Sequence, residues 1–203
     1  MSKIANQFAR LASEGRCALV PYITAGDPHP DVTVDLMHTL VDAGANMIEL
    51  GVPFSDPMAD GPVIQAAHER SLVHHTSLAN CLEMVKTFRQ KDEHTPVVLM
   101  GYANPIEHMG YEEFTRRALE AGVDGLLTVD LPPQEGSEFD GFLRDADIDP
   151  IYLLSPTTSD ARISKITSAA SGFVYYVSLK GVTGAGHIDI QAVSDKLARI
   201  REV

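Results

Sequence analysis

Six short apolar runs alternate with helix-patterned segments along this chain, and that alternation restricts the fold more than any other feature. The runs are residues 17–24, 46–50, 96–102, 125–130, 150–154 and 172–178. Between and after them, 31–43, 62–73 with 78–89, 111–121, 135–146, 159–170 and 189–202 carry apolar residues at helical spacing, as does 2–14 at the start. Strands alternating with helices mean parallel strands joined by crossover helices. An open doubly wound sheet and a barrel of βα units both satisfy that pattern. Unusual residues stand at the ends of the runs: Thr24, Glu49, Tyr102, Asp130, Ser155 and Ser178. A barrel builds its chemistry at that end of every strand, an open sheet at one switch point. The expectation is therefore a (βα)8 barrel of the TIM type. Eight units usually need about 250 residues; the 203 residues here fit about six. We expect one domain over 1–203, incomplete at its C-terminal end, with the last two strands absent. Its first and sixth strands would then be open edges that seek pairing.

The stretch Glu49-Leu-Gly-Val-Pro-Phe-Ser-Asp-Pro-Met-Ala-Asp-Gly-Pro-Val-Ile-Gln65 carries the densest chemistry. Side chains alternate along a strand, so Met47 and Glu49 share one face and Ile48 and Leu50 the other. A carboxylate at the mouth of an apolar strand is unfavourable unless it is paired or used. If the loop folds back, Asp60 approaches Glu49, and two carboxyls in different environments can do acid/base work. Purely structural roles compete with this reading. Asp60-Gly61-Pro62 also reads as a helix start with Asp60 as N-cap, and Asp56-Pro57 as a turn.

The totals exclude several classes. Net charge is −12, without a basic cluster, which argues against a nucleic-acid surface. No run approaches the ~18 apolar residues that span a membrane, and the start has no signal-peptide pattern. Cys17 and Cys81 are far apart, which fits a reducing compartment. A cytoplasmic protein is expected. The eight histidines, including adjacent His74 and His75, lack ligand spacing, so no metal site is expected. Gly181-Val-Thr-Gly-Ala-Gly186 follows the sixth run, and its amides could cradle a phosphate; a plain surface loop reads equally well.

Five segments taken in order are more specific: Pro21-Tyr-Ile-Thr-Ala-Gly-Asp-Pro28, Glu49 to Pro62, Gly101-Tyr-Ala-Asn-Pro105, Val129-Asp-Leu-Pro-Pro133 and Tyr176-Val-Ser-Leu-Lys-Gly-Val-Thr-Gly-Ala185. Together they resemble the tryptophan synthase alpha subunit, across the whole chain. The resemblance implies a TIM barrel that cleaves indole-3-glycerol phosphate to indole and glyceraldehyde 3-phosphate by a retro-aldol reaction, with no cofactor of its own. It implies Glu49 as general acid/base and Asp60 as the carboxylate that handles the indole N–H. An apolar surround would raise the pKa of Glu49, while Asp60 is expected on a wetter loop. The implied substrate pocket uses Tyr22, Met100, Tyr102, Leu127, Val129, Leu153 and Tyr175, closed by a loop with Thr183 and Gly184. The implied partner is a beta subunit carrying pyridoxal phosphate, in an alpha2beta2 tetramer, faced by Asp56, Asn104, Pro105 and Pro132. Many relatives have a basic residue where this chain has Leu179, followed by Lys180. Relatives also draw most of their phosphate grip from strands seven and eight. An impaired chain that serves only to bind or activate the beta subunit is thus the alternative. A different phosphosugar barrel would lack the Pro-Phe-Ser-Asp-Pro segment.

Overall fold

The computed structural model describes residues 1–178 and 189–202. Six parallel strands lie side by side in chain order: β1 (Tyr22–Thr24), β2 (Ile48–Gly51), β3 (Val97–Gly101), β4 (Gly125–Thr128), β5 (Asp149–Leu154) and β6 (Val174–Tyr176). They curve into a half-barrel, so the expected fold holds. Among the described residues β1 and β6 each have a single strand neighbour. The helices are α1 (Lys3–Ser13), α2 (Thr33–Asp42), α3 (Pro62–Val73), α4 (Leu78–Phe88), α5 (Ala103–Met109), α6 (Tyr111–Ala121), α7 (Ser137–Asp145), α8 (Asp160–Ala169) and α9 (Ile190–Glu202).

Strand alternation divides the core in two. Met47, Val98, Leu127 and Ile151 point into the barrel and form one cluster. Ile48, Leu50, Val97, Leu99 and Leu126 point outward, beneath α4, α6 and α7, and form the other with Phe88, Phe114 and Phe139. Full burial of such a side chain contributes about 1.5–3 kcal/mol. The floor of the barrel is α1. Its buried Ile4 packs in the inner cluster with Phe8 beside it, and its start is tied to the strand N-termini. Ser2 donates to Asp149 at 2.5 Å, Lys3 pairs with Asp124 at 3.2 Å, and Gln7 donates to the Asn46 carbonyl at 3.0 Å. Gly125 makes this plug fit, since a Cβ there would lie 2.9 Å from both Ile4 and Ile151. Asp124 also accepts from the largely buried Arg89 at 2.5 Å and from the Val97 N–H at 2.8 Å. The lower end is therefore a network of fixed polar contacts, which leaves the upper end for chemistry.

Two local expectations need correction. The first strand is not 17–24: only Tyr22–Thr24 joins the ladder. Pro21 has no N–H to donate, and residue 19 is held by Asn46 through its side chain and backbone, at 2.9 Å each. The stretch after the third run, to which the apolar pattern gives no helix, forms α5. Pro105 sits in its first turn, where a missing N–H leaves no bond unmade. The N–H of Ala103, at the start of α5, is satisfied by Asp130 Oδ1 at 2.8 Å.

Candidate active site

At the C-terminal end of the strands lies a cavity of about 330 Å³, at the lower end of the usual range for ligand sites. Tyr22 from β1, Glu49 from β2, Met100 from β3, Leu153 from β5 and Tyr175 from β6 line it, with Val129 from just beyond β4. All six were expected at the site. Asp60 closes one side, with Ala59 and Ile64. The apolar walls and two converging carboxyls distinguish this cavity from the wider groove of about 740 Å³ beside it. That groove runs between the loops after β4 and β5, and Asp130 is its one acidic residue among those described.

The strand geometry aims Glu49 inward. Tyr22 on β1 and Val98 on β3 are its register neighbours, and the inner cluster lies beneath it. The residue is 6% exposed, and Oε1 has no hydrogen-bond partner among the described residues. Burial, with no compensating cation among the described residues, pushes its pKa up to about 7. Such a carboxyl can hold and release a proton near neutral pH, as a general acid/base requires.

Asp60 departs from expectation in two ways. It is not on a wet loop, being only 4% exposed. Nor does it cap α3: the N-cap is Gly61, with no side-chain cap bond. Its Oδ2 instead accepts from the Tyr102 hydroxyl at 2.8 Å. That hydroxyl accepts in turn from the Ala59 N–H at 3.0 Å, and the Tyr102 ring stacks on Phe54 with centroids 5.2 Å apart. So Tyr102, expected in the cavity wall, lies behind Asp60 and fixes it from β3's end. Its pKa is raised, first by burial and next by that bond to Asp60. Leu127 is also displaced from its expected role. It is fully buried in the inner cluster below the cavity, because its side chain points in from one step lower on β4 than Val129.

Tyr22 touches both carboxyls electrostatically. Its pKa is raised by burial first, with Asp60 and Glu49 adding to the effect. Tyr175, on the far side, is raised by burial and then by Glu49 and Asp60. Two groups, His68 and Gly51, were missed from the sequence, and Thr24, marked there only as a strand-end residue, joins them around Tyr22. Thr24 bonds the Tyr22 hydroxyl at 3.2 Å, and His68 lies 3.4 Å from it. Gly51 lies beneath the Tyr22 ring, where a Cβ would stand 2.1 Å from the hydroxyl oxygen. His68 could have been found from spacing: Ile64 and His68 are four apart on α3, so the same helix face that meets the cavity carries both. Thr183 and Gly184 lie outside the described residues.

The residues expected to face a partner occupy the segments that follow β2, β3 and β4 at this same end. Asp56 is exposed and accepts from Ser55 at 2.5 Å, Asn104 is exposed on α5, and Pro105 and Pro132 are half-buried. Met58 and Val63, 73% and 80% exposed, add apolar surface next to Asp56.

The family model for the tryptophan synthase alpha chain matches residues 8–203. The chain belongs to the tryptophan synthase alpha chain family. It is 65% identical over 201 residues to the tryptophan synthase alpha chain of Thioalkalivibrio sulfidiphilus, covering 99% of this chain and 76% of that one. The crystal structure of the alpha subunit from Legionella pneumophila superposes with a TM-score of 0.91 at 45% identity, covering all of this chain and 74% of that one. A structure of the tryptophan synthase α2β2 complex from Pyrococcus furiosus, described in terms of mutual activation, superposes with a TM-score of 0.84 at 42% identity, over 92% of this chain and 74% of that one. As a member of this family the chain is a lyase of tryptophan biosynthesis. No helix among the described residues is long and apolar enough to cross a membrane.

Proposed function

We propose that this chain cleaves indole-3-glycerol phosphate to indole and glyceraldehyde 3-phosphate, with Glu49 and Asp60 as its catalytic pair. The observation that carries the reading is Glu49: a buried carboxyl in an apolar cavity, its Oε1 without a hydrogen-bond partner among the described residues, with its pKa pushed up to about 7. Protonated Glu49 delivers its proton to the indole ring carbon that bears the glycerol chain. Asp60, held by Tyr102, accepts a hydrogen bond from the ring N–H and stabilises the positive charge that protonation creates. The carbon–carbon bond then breaks toward the ring. The adjacent glycerol hydroxyl gives its proton to Glu49 as its carbon becomes the aldehyde, so Glu49 ends protonated as it began. Met100, Val129 and Leu153 supply an apolar slot for the indole and keep water from the intermediate.

The reaction needs no cofactor in this chain, since both proton transfers use the Glu49 carboxyl; pyridoxal phosphate belongs to the beta partner. Assembly with that partner is supported by the α2β2 organisation of the Pyrococcus furiosus relative and by the clustering of Asp56, Asn104 and Pro132 on one rim. Cytoplasmic residence fits both the thiols, free Cys17 and Cys81, and a soluble metabolic role. The test is Glu49→Gln. It should abolish indole release while circular dichroism stays that of the parent; turnover near the parent level would overturn the assignment of Glu49.

A further inference from the structure

Behind the cavity wall sits a buried histidine that the chemistry above does not use. His68, on α3, is 3% exposed, and its two ring nitrogens face different elements. Nε2 lies 3.4 Å from the Tyr22 hydroxyl on β1. Nδ1 lies 3.3 Å from the Phe54 nitrogen and 3.4 Å from its carbonyl oxygen, on the loop that runs from β2 to Asp60. Burial lowers the pKa of the ring, which is therefore neutral at neutral pH. A neutral imidazole has one N–H and one lone pair. Both tautomers fit this setting. In one, Nδ1–H donates to the Phe54 carbonyl and Nε2 accepts from Tyr22. In the other, the Phe54 N–H donates to Nδ1 and Nε2–H donates to Tyr22. Either way the ring bridges the same two partners.

Tyr22 depends on such an anchor. Gly51 gives its ring room but no side chain to lean on, and Thr24 at 3.2 Å is its other polar neighbour among the described residues. We propose that His68 is a positioning residue: it seats Tyr22 as a wall of the indole pocket and ties that wall to Phe54, whose ring stacks on the tyrosine that holds Asp60. This rests on reading the cavity as the indole site.

The test uses the full chain as the cell makes it, with a beta subunit present, in the condensation direction from indole and glyceraldehyde 3-phosphate. An asparagine amide can reach the Nδ1 position and keep Phe54, but not the Nε2 position. A glutamine amide can reach the latter. His68→Asn should raise KM for indole about three- to ten-fold, the scale of losing one or two modest hydrogen bonds, with KM for glyceraldehyde 3-phosphate and kcat within about two-fold. His68→Gln should restore most of the loss. Tyr22→Phe should raise KM for indole to the same degree, and adding His68→Asn to it should change little more. A purely structural histidine would lower thermal stability without this selective change. An unchanged KM for indole in His68→Asn or in Tyr22→Phe overturns the proposal, as do rises that add independently. If neither His68 variant folds, Tyr22→Phe alone decides. Glu49→Gln under the same conditions separates the two readings. Retained turnover there means the reaction assignment has failed; lost turnover with an unmoved KM in the other variants means only the His68 role has failed.

Discussion

The same burial that suits Glu49 to catalysis should weaken the fold at neutral pH, and the effect can be worked through. An unfolded chain releases the Glu proton near 4.5, while the folded site holds it to about 7. Between those values the native state binds a proton that the unfolded state has lost. Stability therefore falls as pH rises through that window. The contribution is fully present below about 4.5 and gone above about 7. A gap of this size corresponds to about 3 kcal/mol. Replacing Glu49 with Gln leaves a neutral group at every pH, so the variant escapes the loss. All other titrations occur in both proteins and cancel in the difference, as does any fixed effect of fitting the amide. The stability of Glu49→Gln minus that of the parent should rise by about 3 kcal/mol from pH 4 to pH 8 and stay flat beyond. For a chain of this size that is a relative gain of about 6–12 °C in Tm. Urea unfolding by circular dichroism at half-unit pH steps would measure it. The parent's kcat/KM should fall above pH 7 over the same titration, because the free enzyme must carry the proton. A flat difference curve, or one with its midpoint below pH 5, would refute the argument that burial governs Glu49.

Three further perturbations probe other parts of the site and scaffold. Tyr102→Phe removes the hydroxyl that donates to Asp60 and accepts from Ala59; turnover should fall ten-fold or more, with about 1–3 kcal/mol lost from stability, read by steady-state indole release and urea titration. Gly51→Ala puts a methyl where the Tyr22 ring lies. Because a side chain can swing away, Tm should change little while KM for indole rises, and an unchanged KM would show that Tyr22 does not wall the substrate. Arg89→Ala strips the largely buried partner from Asp124 on the opposite face of the barrel. It should destabilise the fold by about 3 kcal/mol and leave kcat at 20 °C near the parent value.

Much of the scaffold was legible because its signals were redundant. The inward set Met47 and Glu49 and the outward set Ile48 and Leu50 were readable from alternation, since both faces of β2 are buried and each has its own cluster. The bounds of α3 and α6 were also legible, marked by Pro62 at the start of one and Gly122, in the left-handed conformation, at the end of the other. The failures were places where one local signal stood alone. Residues 103–109 are too short a stretch to show helical spacing, yet they form α5, since a proline in the first turn breaks no bond. The run from Cys17 was taken as strand, although its backbone partners come from an asparagine 27 residues away in sequence from Leu19.

Asp60 shows most clearly why the site was less legible than the fold. Its type and its place before Gly-Pro pointed to a helix cap at least as much as to catalysis, and the two uses exclude each other, because one carboxyl cannot turn to the first amides of α3 and also into the barrel. A side-chain cap is worth about 1 kcal/mol, and glycine at that position forfeits only a few tenths. A buried carboxyl deprived of its hydroxyl donor costs about 1–3 kcal/mol or more. The tertiary bond outweighs the local one, so Gly61 takes the cap and Asp60 is free to face the cavity. The deciding partner, Tyr102, lies 42 residues along the chain. No window around Asp60 contains that information; it exists only once β3 has been laid beside β2.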